Sequence, residues 1–191
     1  MSRDEIIKMQ MRIGTAPDGF WGPKSIAALR RHLRFLMPLP SPWPRTDKQS
    51  LHDFYGDPGD EDNLVMINLP YEMRYDGKVV TRMRVHKRCA DSLLRVLTRI
   101  RDRMEAVPDI VPESTDFGGC FSYRLKRGGS SWSLHAWGAA IDLDPVDNAF
   151  KASWPIQADM PLEIIEAFAI EGWISAAAFW GYDAMHFQAT Q

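Results

Sequence analysis

The residues with the most chemistry in them lie between positions 130 and 145, SSWSLHAWGAAIDLDP. Ile141 and Leu143 alternate with Asp142 and Asp144, which predicts a strand with one apolar face and a second face holding two carboxylates. His135 precedes Asp142 by seven residues, and Gly138, Ala139 and Ala140 between them are small enough to let an imidazole fold back towards a carboxylate. A histidine nitrogen and an aspartate oxygen suit zinc, at roughly 2.0–2.2 Å. Two ligands do not make a site, so a third must come from elsewhere. The other histidines are His32 in an N-terminal helix, His52 after a proline-rich stretch, His86 at the start of a basic helix, and His186 in YDAMHFQ. His186 reads as part of a short C-terminal strand, its imidazole facing away from Met185 and Phe187. Taken alone, such a histidine is more often a satisfied structural residue than a ligand. Asp144, on the same expected face as Asp142, is a rival base or supporting carboxylate.

The elements that would carry these residues are mixed. LVMINLPYEMRYDGKVV reads as strand, turn at Asp76-Gly77, strand. Residues 86–105 predict a helix with Ala90, Leu93, Leu94, Leu97, Ile100 and Met104 inward. Its other face carries Lys87, Arg88, Arg95, Arg99, Arg101 and Arg103, a stripe that fits a polyanion but reads first as a solvated surface. A second helix runs from about Pro161 to Glu171, stopped at Gly172. Hairpins rather than βαβ units separate the helices, so the fold class is α+β: a small antiparallel sheet with flanking helices holding the metal site, preceded by a small helical module. Four prolines in PLPSPWP (38–44) mark an extended linker, with few core contacts expected across it. The expected division is therefore 1–37, a helical module; 38–50, the linker; and 51–191, the main domain. In the module, Ile6, Met9 or Gln10, and Ile13 form one helical stripe, and Ile26, Leu29, Leu33 and Leu36 another. Phe20 and Trp21 are expected to plug the gap between the two helices.

Two motifs carry a resemblance. HAWGAAID fits His-x-x-Gly-x-Ala-x-Asp and DAMH fits a late Asp-x-x-His; in this order they resemble the zinc D-Ala-D-Ala carboxypeptidase and L-alanyl-D-glutamate endopeptidase family, peptidase family M15, which includes many phage endolysins. The resemblance covers roughly residues 55–188 and implies zinc on His135, Asp142 and His186, Asp183 as catalytic acid/base, and Arg124 polarising the substrate. The Tyr123-Arg124 pair and Ser133 also match, making Arg124 and Ser133 substrate-binding candidates. Departures are Asp183, where many relatives carry Glu, and Gln188, where an acid is frequent. Because residues three apart on a strand face opposite sides, Asp183 must lie in a turn before the strand, which Gly181 permits. Residues 6–33 similarly resemble the small peptidoglycan-binding module, through the Gln of helix one, the following Gly, and the Asp-Gly-x-x-Gly-Pro-Lys loop.

The expected function is thus a zinc-dependent, endolysin-like peptidoglycan peptidase cutting the L-Ala–D-Glu bond of the stem peptide. The alternatives are a D-Ala-D-Ala carboxypeptidase and a non-catalytic wall-binding protein. Composition limits the rest. The 191 residues are 45% hydrophobic and 25% charged with net charge −2, which excludes a disordered or collagen-like chain and argues against a dedicated nucleic-acid binder. No apolar run reaches the roughly 20 residues that span a bilayer. MSRDEIIKMQMRIG lacks a signal-peptide pattern, so synthesis in the cytoplasm is expected, with action on the bacterial wall as a monomer and without membrane insertion. Cys89 and Cys120 read as small buried hydrophobes, not a disulfide.

Overall fold

A computed structural model describes residues 1–104, 106 and 115–191. Two helices open the chain, α1 (Arg3–Arg12) and α2 (Pro23–Leu36). Ser2 caps α1 in a reciprocal box with Glu5, and Pro23 starts α2 at a position where its missing N–H is not needed. The joint between them differs from expectation. Phe20 is 71% exposed, and the buried Gln10 fills the gap, its amide donating to Asp18 Oδ1, Phe20 O and Ser25 Oγ. A polar turn needs donors at its centre, and an aromatic ring could not supply them. Trp21 instead meets Trp154 edge-on at 5.3 Å.

The proline stretch is a strap packed against the body. Trp43 is buried, donates from Nε1 to Glu171 O at 2.8 Å, and packs on Trp173 at 5.8 Å. Next comes α3 (Lys48–Tyr55), so helix already occupies the end of the expected 38–50 linker. The expectation of few contacts across this stretch fails: Leu29, Leu33 and Trp43 share one apolar cluster with Phe168, Trp173 and Phe187. Arg12 pairs with Glu163 and Glu166, and His32 Nε2 lies 2.8 Å from Glu166 Oε1. Proline density reports on backbone hydrogen bonding and leaves open what a neighbouring tryptophan will bury.

The hairpin of β1 (Leu64–Tyr75) and β2 (Lys78–His86) turns at Asp76-Gly77, both with positive φ, as a tight two-residue turn requires. It packs beneath α4 (Ala90–Met104), which starts later than the expected residue 86 because His86 still belongs to β2. On the basic side, Arg95 and Arg99 lie beside Glu171, so part of that stripe is neutralised within the fold. The second sheet is antiparallel, ordered β3 (Phe117–Gly119), β4 (Ala140–Leu143), β6 (His186–Gln188), β5 (Ile174–Ser175). Helix α5 (Leu162–Ile170) covers it, with Phe168 stacked on Phe187 at 3.9 Å, and α6 (Ala176–Phe179) is a single turn leading out of β5. The observed class is α+β, as the sequence predicts. Both cysteines are buried and unpaired.

Candidate metal centre

Sheet register builds the centre. Asp142 on β4 sits directly opposite His186 on β6, while Ile141 opposes Phe187 and turns to the core. His135 arrives from the other end of the HAWGAAID segment, in a 3-10 turn (Leu134–Trp137) capped by Ser133, whose Oγ accepts from His135 N at 3.4 Å. Gly138 closes that turn with φ +67, and a Cβ there would lie 2.8 Å from Leu64 Cδ2 and 2.9 Å from His86 N. Only glycine combines that dihedral with so close a neighbour.

Three donor atoms converge. Asp142 Oδ1 is 3.2 Å from His135 Nε2 and 2.9 Å from His186 Nδ1, and the two ring nitrogens are 3.2 Å apart. Bonds of about 2.0–2.1 Å in a tetrahedral shell would place ligand atoms about 3.3–3.4 Å apart, close to this triangle. The outer nitrogens fix which inner ones are free. His135 Nδ1 faces Cys120 O at 2.8 Å, and His186 Nε2 faces Gln188 Oε1 at 3.2 Å, while Gln188 Nε2 is committed to Thr190 Oγ1. Each outer nitrogen must carry the proton, leaving two imidazole lone pairs and a carboxylate aimed at one point. Burial would raise the Asp142 carboxyl, yet the two imidazoles hold it well below the ordinary range. Burial would likewise lower His186, but Asp142 raises it. The site therefore favours a positive charge, and a metal ion satisfies all three atoms at once. Among the described residues this is the one group of His, Cys, Asp and Glu side chains so placed.

Beside the triangle lies a cleft of about 340 Å³. Asp183 lines it from the turn before β6, with φ +58, and its carbonyl accepts from His186 N at 2.9 Å. That dihedral is uncommon for a non-glycine residue, although aspartate adopts it more readily than most. Burial pushes the Asp183 carboxyl up to about 6; nearby His186 works against this and Asp142 with it. Arg124, Ser133, Lys126 and Arg127 also line the cleft. The loop bearing them is closed by a Leu125–Trp132 bridge and by Ser133 N donating to Arg124 O at 3.1 Å.

Asp144 departs from expectation. The chain leaves β4 before it, with φ +45, and its Oδ2 accepts from Asn148 Nδ2 at 2.9 Å. The dihedral turns this carboxylate out of the alternation that would have set it beside Asp142. The tryptophans divide: Trp137 and Trp173 are core, whereas Trp180 stacks on His186 at 5.7 Å and lines the cleft. The Cys120 carbonyl that orients His135 carries no sequence signal, since any residue could supply it.

Two imidazoles, one carboxylate, an adjacent buried carboxylate and a cationic cleft define a site suited to metal-assisted hydrolysis. Residues 127–189, which include all three candidate ligands and Asp183, match the family model described as D-alanyl-D-alanine carboxypeptidase. The match spans about a third of the chain, and supports a metallopeptidase of the M15 type. Neither curated proteins nor solved structures gave a match.

Proposed function

We propose that this protein is a zinc-dependent, endolysin-like peptidoglycan peptidase that hydrolyses the L-Ala–D-Glu bond of the stem peptide. The observation that carries the reading is the coincidence of the His135–Asp142–His186 triangle with the segment matching the carboxypeptidase family. When bound, zinc supplies Lewis acidity and makes water a nucleophile near neutral pH. His135, Asp142 and His186 would hold the metal, with Cys120 O and Gln188 fixing the imidazole tautomers. Asp183, buried and with a raised pKa, takes a proton from the attacking water and returns it to the leaving amine. Arg124 lines the same cleft, where its guanidinium can stabilise negative charge growing on the carbonyl oxygen. Lys126 and Arg127 extend the positive lining and suit a substrate with carboxylates near the scissile bond, such as D-Glu. The N-terminal helices, which resemble a wall-binding module, suit an enzyme working on an insoluble polymer.

The second reading is D-Ala-D-Ala carboxypeptidase, favoured by the description of the matched family and by the suitability of Arg124 for a terminal carboxylate. Digesting purified sacculi and free pentapeptide in parallel, with mass spectrometry and amino-terminal analysis, separates them. New D-Glu amino termini support the endopeptidase. Release of D-Ala alone makes it a carboxypeptidase, and release of nothing by the metal-loaded protein refutes both.

A further inference from the structure

Helix α6 is one turn long, too short to persist without tertiary support. The carbonyls of Ala178 and Phe179 at its end have no following helical N–H to accept from. Both accept from a single guanidinium: Arg30 Nε reaches Ala178 O at 3.1 Å and Nη2 reaches Phe179 O at 2.7 Å. Arg30 belongs to α2, far earlier in the chain. Directly after α6 come Trp180, stacked on His186, then Gly181 with φ +83, then Tyr182 and Asp183 in the cleft. The same stretch is held a second time, by Trp154 N donating to Gly181 O at 3.0 Å and by a Ser153–Tyr182 bridge. Trp154 is in turn met by Trp21 of the N-terminal pair of helices.

We infer that Arg30 is a positioning residue for the cleft: by clamping the end of α6 it sets where Trp180 lies on His186 and where Asp183 stands relative to the ligand triangle. A planar guanidinium donates two bonds in a fixed fork, and its charge opposes the negative end of the helix. Lysine, a point charge on a flexible stem, cannot hold both carbonyls in one plane. Helix α2 thus contributes to the placement of the cleft through Arg30, whatever it binds outside it. The rate readout below rests on the peptidase reading, and the cobalt readout on its metal centre alone.

The test compares full-length Arg30→Ala, Arg30→Lys and a control, Arg12→Ala, whose partners Glu163 and Glu166 lie on α5. Each is loaded with Co2+ in place of the native metal, and its visible absorption is recorded as a report on ligand geometry. Turnover of a soluble stem peptide is measured alongside. Arg30→Ala should lose about tenfold or more in kcat, since misplacement by about 1 Å can remove ~10²-fold. Its KM should stay within about twofold, as expected when reacting geometry rather than binding is lost. Its cobalt spectrum should shift, Arg30→Lys should fall between it and the parent, and Arg12→Ala should keep both kcat and spectrum while melting earlier. If Arg30→Ala matches Arg12→Ala in rate and spectrum, the inference is overturned; if it does not fold, Arg30→Lys decides by the same two readouts. If the parent turns over no stem peptide, the peptidase reading fails, and the cobalt spectra still decide the role of Arg30.

Discussion

Replacing Gly138 with alanine tests how the metal centre is seated. Two terms oppose the methyl group. Its φ of +67 lies in the left-handed region, which costs an L residue roughly 1–2 kcal/mol. In addition, the new Cβ would sit 2.8 Å from Leu64 Cδ2 and 2.9 Å from His86 N. The leucine tip can move, but the His86 backbone cannot readily do so, because its N–H donates to Gly138 O at 2.9 Å. Overpacking of this kind costs typically 1–3 kcal/mol, for a total of about 2–5 kcal/mol. Gly14 supplies the internal control, with φ +71 and nothing within 4 Å of its Cβ position, so Gly14→Ala carries the dihedral term alone. The difference between the two variants, about 1–3 kcal/mol, corresponds to about 2–12 °C in melting temperature for a domain of this size. Thermal denaturation by circular dichroism measures it, and a competitive metal titration should show weaker binding by Gly138→Ala alone, since His135 and Asp142 flank the strained point. Melting of the two variants within 1 °C of each other (about 0.3–0.5 kcal/mol) would show that the close approach at Gly138 has no energetic weight.

Asp183→Asn should keep fold and metal while losing roughly 10²–10⁴ in kcat, the usual worth of general acid–base assistance; turnover near the parent rate would remove Asp183 from the mechanism. Because Asp183 must be ionised to accept a proton, activity should fall as pH drops through its pKa; a bound cation favours the carboxylate, so the limb in a pH–rate profile should lie no higher than about 6. His186→Ala should abolish tight 1:1 metal binding measured by elemental analysis, and full occupancy in that variant would exclude the ligand set. Chelation of the parent should lower its melting temperature, since metal at 100 times its Kd stabilises by about 2.7 kcal/mol, and an unchanged melt would mean that metal and fold are uncoupled. Deleting residues 1–45 should give aggregated or unfolded protein by size-exclusion chromatography, because it strips Leu29, Leu33 and Trp43 from the shared core; a monomeric, metal-binding truncation would refute that.

The candidate ligand triangle is legible only in part from the residues themselves: spacing and small side chains bring His135 towards Asp142, whereas His186 enters as a ligand through the family resemblance. Strand alternation placed Asp142 and His186 on faces opposite their apolar neighbours, and small residues marked the close pass before β4. Alternation sets Asp144 on the face of Asp142 only if the strand continues, whereas a positive φ ends it one residue earlier. What escaped was long-range and carried by ordinary residues. Nothing about Trp43 among prolines announces burial against Trp173, and nothing about Arg30 announces two carbonyls on α6. Gln10 was visible as a helix residue, but its three acceptors exist only once the loop has closed.

Strands β4 and β6 share only three paired positions, so backbone hydrogen bonds alone specify their alignment weakly. A slip of one residue would carry Phe187 into the cleft and His186 into the apolar layer under α5. In the slipped sheet a bound cation would keep His135 and Asp142 but lose His186, one of its three donors, so it would favour the correct pairing. The ion would then act as a proofreader of strand alignment during folding, and chain refolded with metal present should yield more active protein than chain to which metal is added afterwards.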